Sequence, residues 1–211
     1  MTQEKLQKMD FNTDFVNESL DLYPLMGGTH YGSGANESFG GIITEEAGNG
    51  KYVISAKKGS FSLDGRNDEA KKSGSRMALR RLIASSLQAK YEVKIDVIDH
   101  AGVGIDIKSE KTHFFAELTS DGYINAILEG RYFVFDARIP EGETPRRIEN
   151  VTLVIEIEEP NIRISVIHKG KIGKVCILRL DALCTLNRCE VCLSAALECP
   201  ALCQISEVSI E

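Results

Sequence analysis

The sequence predicts an α+β fold: a meandering antiparallel sheet with one principal helix packed on a face, followed by a cysteine-rich C-terminal segment. Three observations carry that expectation. Apolar residues recur at helical spacing through residues 77–87. Beyond residue 90 the period switches to two, with short turn sequences between the runs. Five of the six cysteines fall in the last thirty residues.

Residues 1–50 read as an N-terminal helix and a glycine-rich loop. Asn12 or Thr13 caps a short helix through Phe15, Val16, Leu20 and Leu22, which Pro24 and Gly27-Gly28 end. Glycine, Asn, Ser and Thr then crowd residues 27–50 around His30 and Tyr31. Such a stretch buries little and reads as a long loop, with room for one short strand at 41–44.

Residues 51–181 form the expected α+β core. Residues 51–57 and 60–63 alternate as a hairpin turning at Lys58-Gly59. Met77, Ala78, Leu82, Ile83 and Leu87 then line one side of a helical wheel, with Arg76, Arg80 and Gln88 elsewhere, which marks the principal helix. After it Val93, Ile95 and Val97 alternate with charged residues, as do Val103, Ile105 and Ile107. Further strands are expected at 113–118, 123–128, 131–136, 151–157, 162–168 and 172–180. Their connections, Ser120-Asp121-Gly122, Glu129-Gly130, Glu159-Pro160-Asn161 and Lys169-Gly170, are short enough to make antiparallel hairpins. Residues 182–211 are the cysteine-rich tail.

Composition narrows the function classes. The formal net charge is −6, which opposes non-specific attraction to nucleic acid or anionic lipid. No run of eighteen apolar residues exists, so no membrane helix is expected. The first ten residues alternate charge without an apolar stretch, so a cytoplasmic location is expected and stable disulfides are not. The basic group Lys71, Lys72, Arg76, Arg80 and Arg81 lies on an acidic, tryptophan-free background. It reads as a solvated helix face, or one that meets an acidic protein, and not as a nucleic-acid surface.

The cysteine tail admits three readings. Cys184, Cys189 and Cys192 have C-x4-C-x2-C spacing, and Cys199 or Cys203 supplies a fourth thiolate, the donor set for zinc or an iron–sulfur cluster. Against this, no glycine follows Gly173 to form tight metal-binding turns. The second reading is packing: on a helical wheel Cys189, Cys192, Cys199 and Cys203 fall within roughly 80° of one another and behave as small hydrophobes. Pro200 interrupts one continuous helix. The third is redox or disulfide chemistry.

One other constellation is chemically suggestive. Asp99 and His100 at one predicted strand end, and Asp106, His113 and Glu117 on the two predicted strands that follow, supply acids and bases. His113 and Glu117 are four residues apart, about 13 Å along one strand, so only cross-strand neighbours can converge. The bland alternative is the polar outer face of a half-buried sheet. The glycines near His30 match neither phosphate-loop nor dinucleotide spacing, since Ser33 stands where lysine is needed and Glu37 where the third glycine is.

The leading expectation is an intracellular binding, assembly or regulatory protein whose cysteine module packs or holds zinc or an iron–sulfur cluster. A protein partner or self-association fits it, and nucleic acid and membrane do not. The alternative is an enzyme with an acid/base or metal site near Asp99, His100, Asp106 and the glycine-rich loop.

Overall fold

The computed structural model describes residues 7–8, 42–47, 50–57, 60–64, 66, 76–84, 90–137, 139, 146–181, 186 and 189–211. Among these the fold is all-β, and no helix occurs. The strands in chain order are β1 Gln7–Lys8, β2 Ile42–Ala47, β3 Gly50–Lys57, β4 Ser60–Asp64, β5 Arg76–Ala84, β6 Lys90–Lys108 and β7 His113–Thr119. They continue as β8 Tyr123–Leu128, β9 Arg131–Asp136, β10 Arg147–Glu158, β11 Asn161–His168, β12 Lys171–Ile172, β13 Cys176–Arg179 and β14 Glu190–Ile210. Every pairing is antiparallel, and the whole curls in a jelly-roll-like way.

Two long strands, β6 and β14, run beside each other and belong to both halves of the curl. Residues 91–99 of β6 pair with 202–210 of β14 on one side and with β10 on the other, and β10 leads on to β11, β12 and β13. Residues 101–108 of β6 pair with 190–197 of β14 and, across the other edge, with β7, then β8 and β9. β14 in turn carries β5 on its first half and β4 and β1 on its second.

The halves meet at a corner written in the chain. Leu197 faces Ala101 and Leu202 faces Asp99, so β14 uses residues 198–201 where β6 uses His100 alone. His100 takes a left-handed φ of 50°, and its N–H donates to the Arg146 carbonyl at 3.0 Å. Pro200, which has no N–H for a ladder, sits inside that bulge, where a proline costs least. Strands that pass from one sheet layer to another commonly turn at such bulges.

Alternation explains the core. Val103, Ile105 and Ile107 of β6 share a face with Leu118, Ala116 and Phe114 of β7 and with Ile124, Ala126 and Leu128 of β8. Tyr91, Val93 and Ile95 continue it against Leu153, Ile155, Ile205 and Val208. The hairpin between β8 and β9 turns at Glu129 and Gly130, both at positive φ, the combination that two-residue turns between right-twisted strands need.

The helix expected over 77–87 is corrected: residues 76–84 are β5, antiparallel to β14. The run Arg-Met-Ala-Leu-Arg-Arg-Leu-Ile-Ala satisfies period two as well as 3.6, and pairing with β14 decides between them. The α+β class therefore gives way to all-β. A helical wheel for the cysteine tail is also corrected, because residues 190–210 are the longest strand of the fold. The helix expected over 12–22 and residues 27–41 of the glycine-rich loop lie outside the described residues; the rest of that loop, expected to run to residue 50, is corrected where Ile42–Ala47 forms β2 and Gly50 opens β3.

Gly104 is the tightest point of the β6–β7 pairing, since a Cβ there would collide with the Ala116 carbonyl and with Glu117 Cα. Gly104→Ala is expected to destabilise the fold by about 3 kcal/mol. Urea unfolding checks this, and a variant as stable as the parent would contradict the described packing.

Candidate functional site

The face of β6–β9 opposite the core carries polar groups. In register it comprises Gly102, Gly104 and Asp106 of β6, His113, Phe115 and Glu117 of β7, Tyr123, Asn125 and Ile127 of β8, and Tyr132, Val134 and Asp136 of β9. Sequence reasoning had named three of these, Asp106, His113 and Glu117.

Asp106 and His113 converge across the β6–β7 ladder, with His113 Nε2 2.6 Å from Asp106 Oδ1. Lys108 Nζ stands 3.8 Å from the other oxygen, so the wholly buried carboxylate faces two potential cations. Glu117 lies on the next strand, diagonal to Asp106 and by sheet geometry about 7–8 Å from it at Cα. Its carboxylate fits because β6 offers no side chain beneath it: a Cβ on Gly102 would stand 2.7 Å from Glu117 Oε2.

Glu117 anchors a polar chain leading outward. Asn125 Nδ2 donates to Glu117 Oε1 at 3.1 Å, and the Tyr132 hydroxyl donates to Asn125 Oδ1 at 3.2 Å. Burial pushes the Glu117 carboxyl above the usual carboxylate range, and the Asn125 bond only partly opposes it. Burial, and then the nearby Glu117 charge, also raise the Tyr132 phenol. The chain ends on an open strip where Tyr123 is 46% exposed, Tyr132 51% and Val134 52%. Two amphipathic rings thus bracket an oriented amide whose two bonds leave one N–H and acceptor capacity in hand.

Asp99 and His100 form a separate pair at the corner, with His100 Nδ1 2.7 Å from Asp99 Oδ1 and Arg147 Nη1 3.2 Å from Oδ2. Seven residues of strand, roughly 20 Å, separate them from Asp106. The structure therefore does not bring Asp99 and His100 together with Asp106, and residues 27–41 of the glycine-rich loop lie outside the described residues. Asp106 belongs with His113, and Asp99 with His100 and Arg147.

The metal module is corrected too. Among the described residues no group of three or more His, Cys, Asp or Glu side chains is placed to hold a metal ion. Cys176, Cys189 and Cys203 are free and buried, and burial raises each thiol above its ordinary range. Cys189 and Cys203 join the hydrophobic core. Cys192 is opposite Asp106 in the backbone register, Cys199 lies in the corner bulge, and Cys184 is outside the described residues.

Asn125, Tyr123 and Tyr132 were missed by sequence reasoning. Their signal was the alternation itself: in Tyr-Ile-Asn-Ala-Ile-Leu and Arg-Tyr-Phe-Val-Phe-Asp the polar face holds two tyrosines and an amide.

No family model matches the chain, and no curated protein matches it. Solved structures do. The chain is similar to a prokaryotic β-1,3-1,4-glucanase (lichenase) derived from a mouse hindgut metagenome, at TM-score 0.53 and 10% identity over 98% of each chain. It is similar to the exoplasmic/lumenal domain of VIP36 in a Ca2+/Man3GlcNAc-bound form, at 0.51 and 8% over 81% of this chain and 83% of that one. It is also similar to the apo Crh5 transglycosylase, at 0.50 and 10% over 98% and 83%. The likeness is one of fold.

The buried acid makes a prediction with a definite sign. Around pH 4 the folded and unfolded chains both hold the Glu117 proton, and the group contributes little. As pH rises past its ordinary value of 4.5 the unfolded chain ionises first, so stability falls until pH exceeds the raised folded value. Glu117→Gln is expected to be more stable than the parent at about pH 8, with the gain vanishing near pH 4. Thermal unfolding across pH checks it, and a constant difference would contradict the assignment.

Proposed function

We propose that this protein binds carbohydrate, with the glycan lying along the open strip of β8 and β9. The observation that carries the reading is the pair of exposed tyrosines, Tyr123 and Tyr132, flanking Asn125 on one face. A sugar ring is amphipathic: its C–H face packs on an aromatic ring while its hydroxyls need directional donors and acceptors. Tyr132 supplies ring and hydroxyl, Asn125 supplies both halves of an amide, and Glu117 holds that amide in place. Flat, semi-open platforms of this kind suit extended ligands with alternating apolar and polar surfaces.

The fold neighbours support the reading. They include a β-1,3-1,4-glucanase, a transglycosylase and the VIP36 domain, which was solved in a Ca2+/Man3GlcNAc-bound form. Binding is favoured over cleavage by burial. Asp106 is 0% exposed and Glu117 5%, which leaves Asp136 as the exposed carboxylate of this face among the described residues. Glycoside cleavage canonically uses two carboxyl groups flanking the scissile bond.

The test is calorimetric titration of the full chain with β-1,3-1,4-glucan and mannose oligosaccharides. Saturable binding is expected for at least one series. Tyr132→Ala and Tyr123→Ala should each weaken it about three- to tenfold, and Tyr132→Phe less, because the ring remains. No binding to either series, or full affinity in both alanine variants, would overturn the proposal.

A further inference from the structure

A second site lies away from the glycan strip and does not depend on it. Where the end of β9 passes β11 and the β11–β12 hairpin, a pocket of about 620 Å³ opens, a volume ordinary for a small-molecule site. Ile139, Val166 and Ile172 are its apolar lining, Val166 buried and Ile172 exposed at the mouth. His168, Lys169, Lys171 and Lys174 stand round it, and among the described residues no acidic side chain lines it.

Two features make this more than a dent between strands. In a chain of net charge −6, three lysines are gathered within six residues, and none of them forms an ion pair among the described residues. A tight turn also fixes where they stand: Lys169 and Gly170 both take positive φ, and Lys171 and His168 pair across the hairpin. Gly173 seals one wall. Its N–H donates to the Val166 carbonyl at 2.8 Å, and a Cβ on it would stand 2.6 Å from the Ala137 carbonyl. The pocket wall is thus backbone held by packing, and like-charged lysines share one small rim with no counter-charge among the described lining residues.

We propose that this pocket binds a small organic acid, its anionic head met by Lys169, Lys171 and Lys174 and its hydrocarbon body lying on Ile139, Val166 and Ile172. The lysines supply charge and the apolar lining supplies apolar area, so a ligand needs both parts to bind well.

The test is amide NMR titration of the full chain with octanoate, with acetate as the head alone and octanol as the body alone. Saturable shifts confined to residues 137–139 and 166–174 are expected for octanoate, with acetate and octanol each at least about tenfold weaker. Lys171→Ala combined with Lys174→Ala removes two exposed side chains and leaves the core untouched. It should weaken octanoate about fivefold and reduce the salt dependence to what Lys169 alone supports. Octanol binding as tightly as octanoate would overturn the role of the lysines, and acetate doing so would overturn the role of the apolar lining. Absence of saturable shifts with octanoate would overturn the site itself. Tyr132→Ala should leave octanoate binding unchanged, which separates failure here from failure of the glycan reading.

Discussion

The fold depends on the pairing of β6 with β14. Both are interior strands along most of their length, so each has its backbone donors and acceptors taken up on two sides. Because the two strands bend together at His100 and Pro200, they contribute to both halves of the curl, and every other strand is reached through one or the other. Remove that shared pair and the remaining hairpins have no common layer on which to bury their apolar faces.

The same pairing creates the polar face. Gly102 and Gly104 on β6 let β7 approach closely and leave room for Glu117, a carboxylate with few partners and a raised pKa. Burying an acid in this way lowers stability at neutral pH. It is compensated locally by one amide bond, and that amide is then fixed for whatever meets the open strip. Groups that weaken a fold while orienting exposed side chains are common at functional sites. The anionic-ligand pocket is built differently, from an exposed hairpin whose charges are repelled by one another and shielded by water.

What could be seen in the sequence followed from how local the governing physics is. The hairpins from His113 to Asp136 and from Val151 to His168 were legible, because strict alternation and turn residues such as Glu129-Gly130 act over a few positions. β5 and β14 were not. Their apolar residues satisfy two periods at once, and the choice is made by partners far away in the chain, such as Arg76 for Glu198 and Tyr91 for Ile210. The cysteines drew attention as a sequence cluster, but an extended strand spreads neighbours at about 3.3 Å per residue and alternates their faces. Asp106, His113 and Glu117 were legible as residue types. Only the register of β6 on β7 puts Asp106 beside His113 and leaves Asp99 with Arg147.

Amide hydrogen exchange along β6 and β14 would show whether the two strands unfold as one unit. If the two strands form the shared spine, residues 103–107 and 193–195 should be the slowest to exchange and should do so with the same free energy, that of global unfolding. Fast exchange across residues 190–210 beside a protected β6 would mean that the C-terminal segment is an appendage, and the account would fail with it.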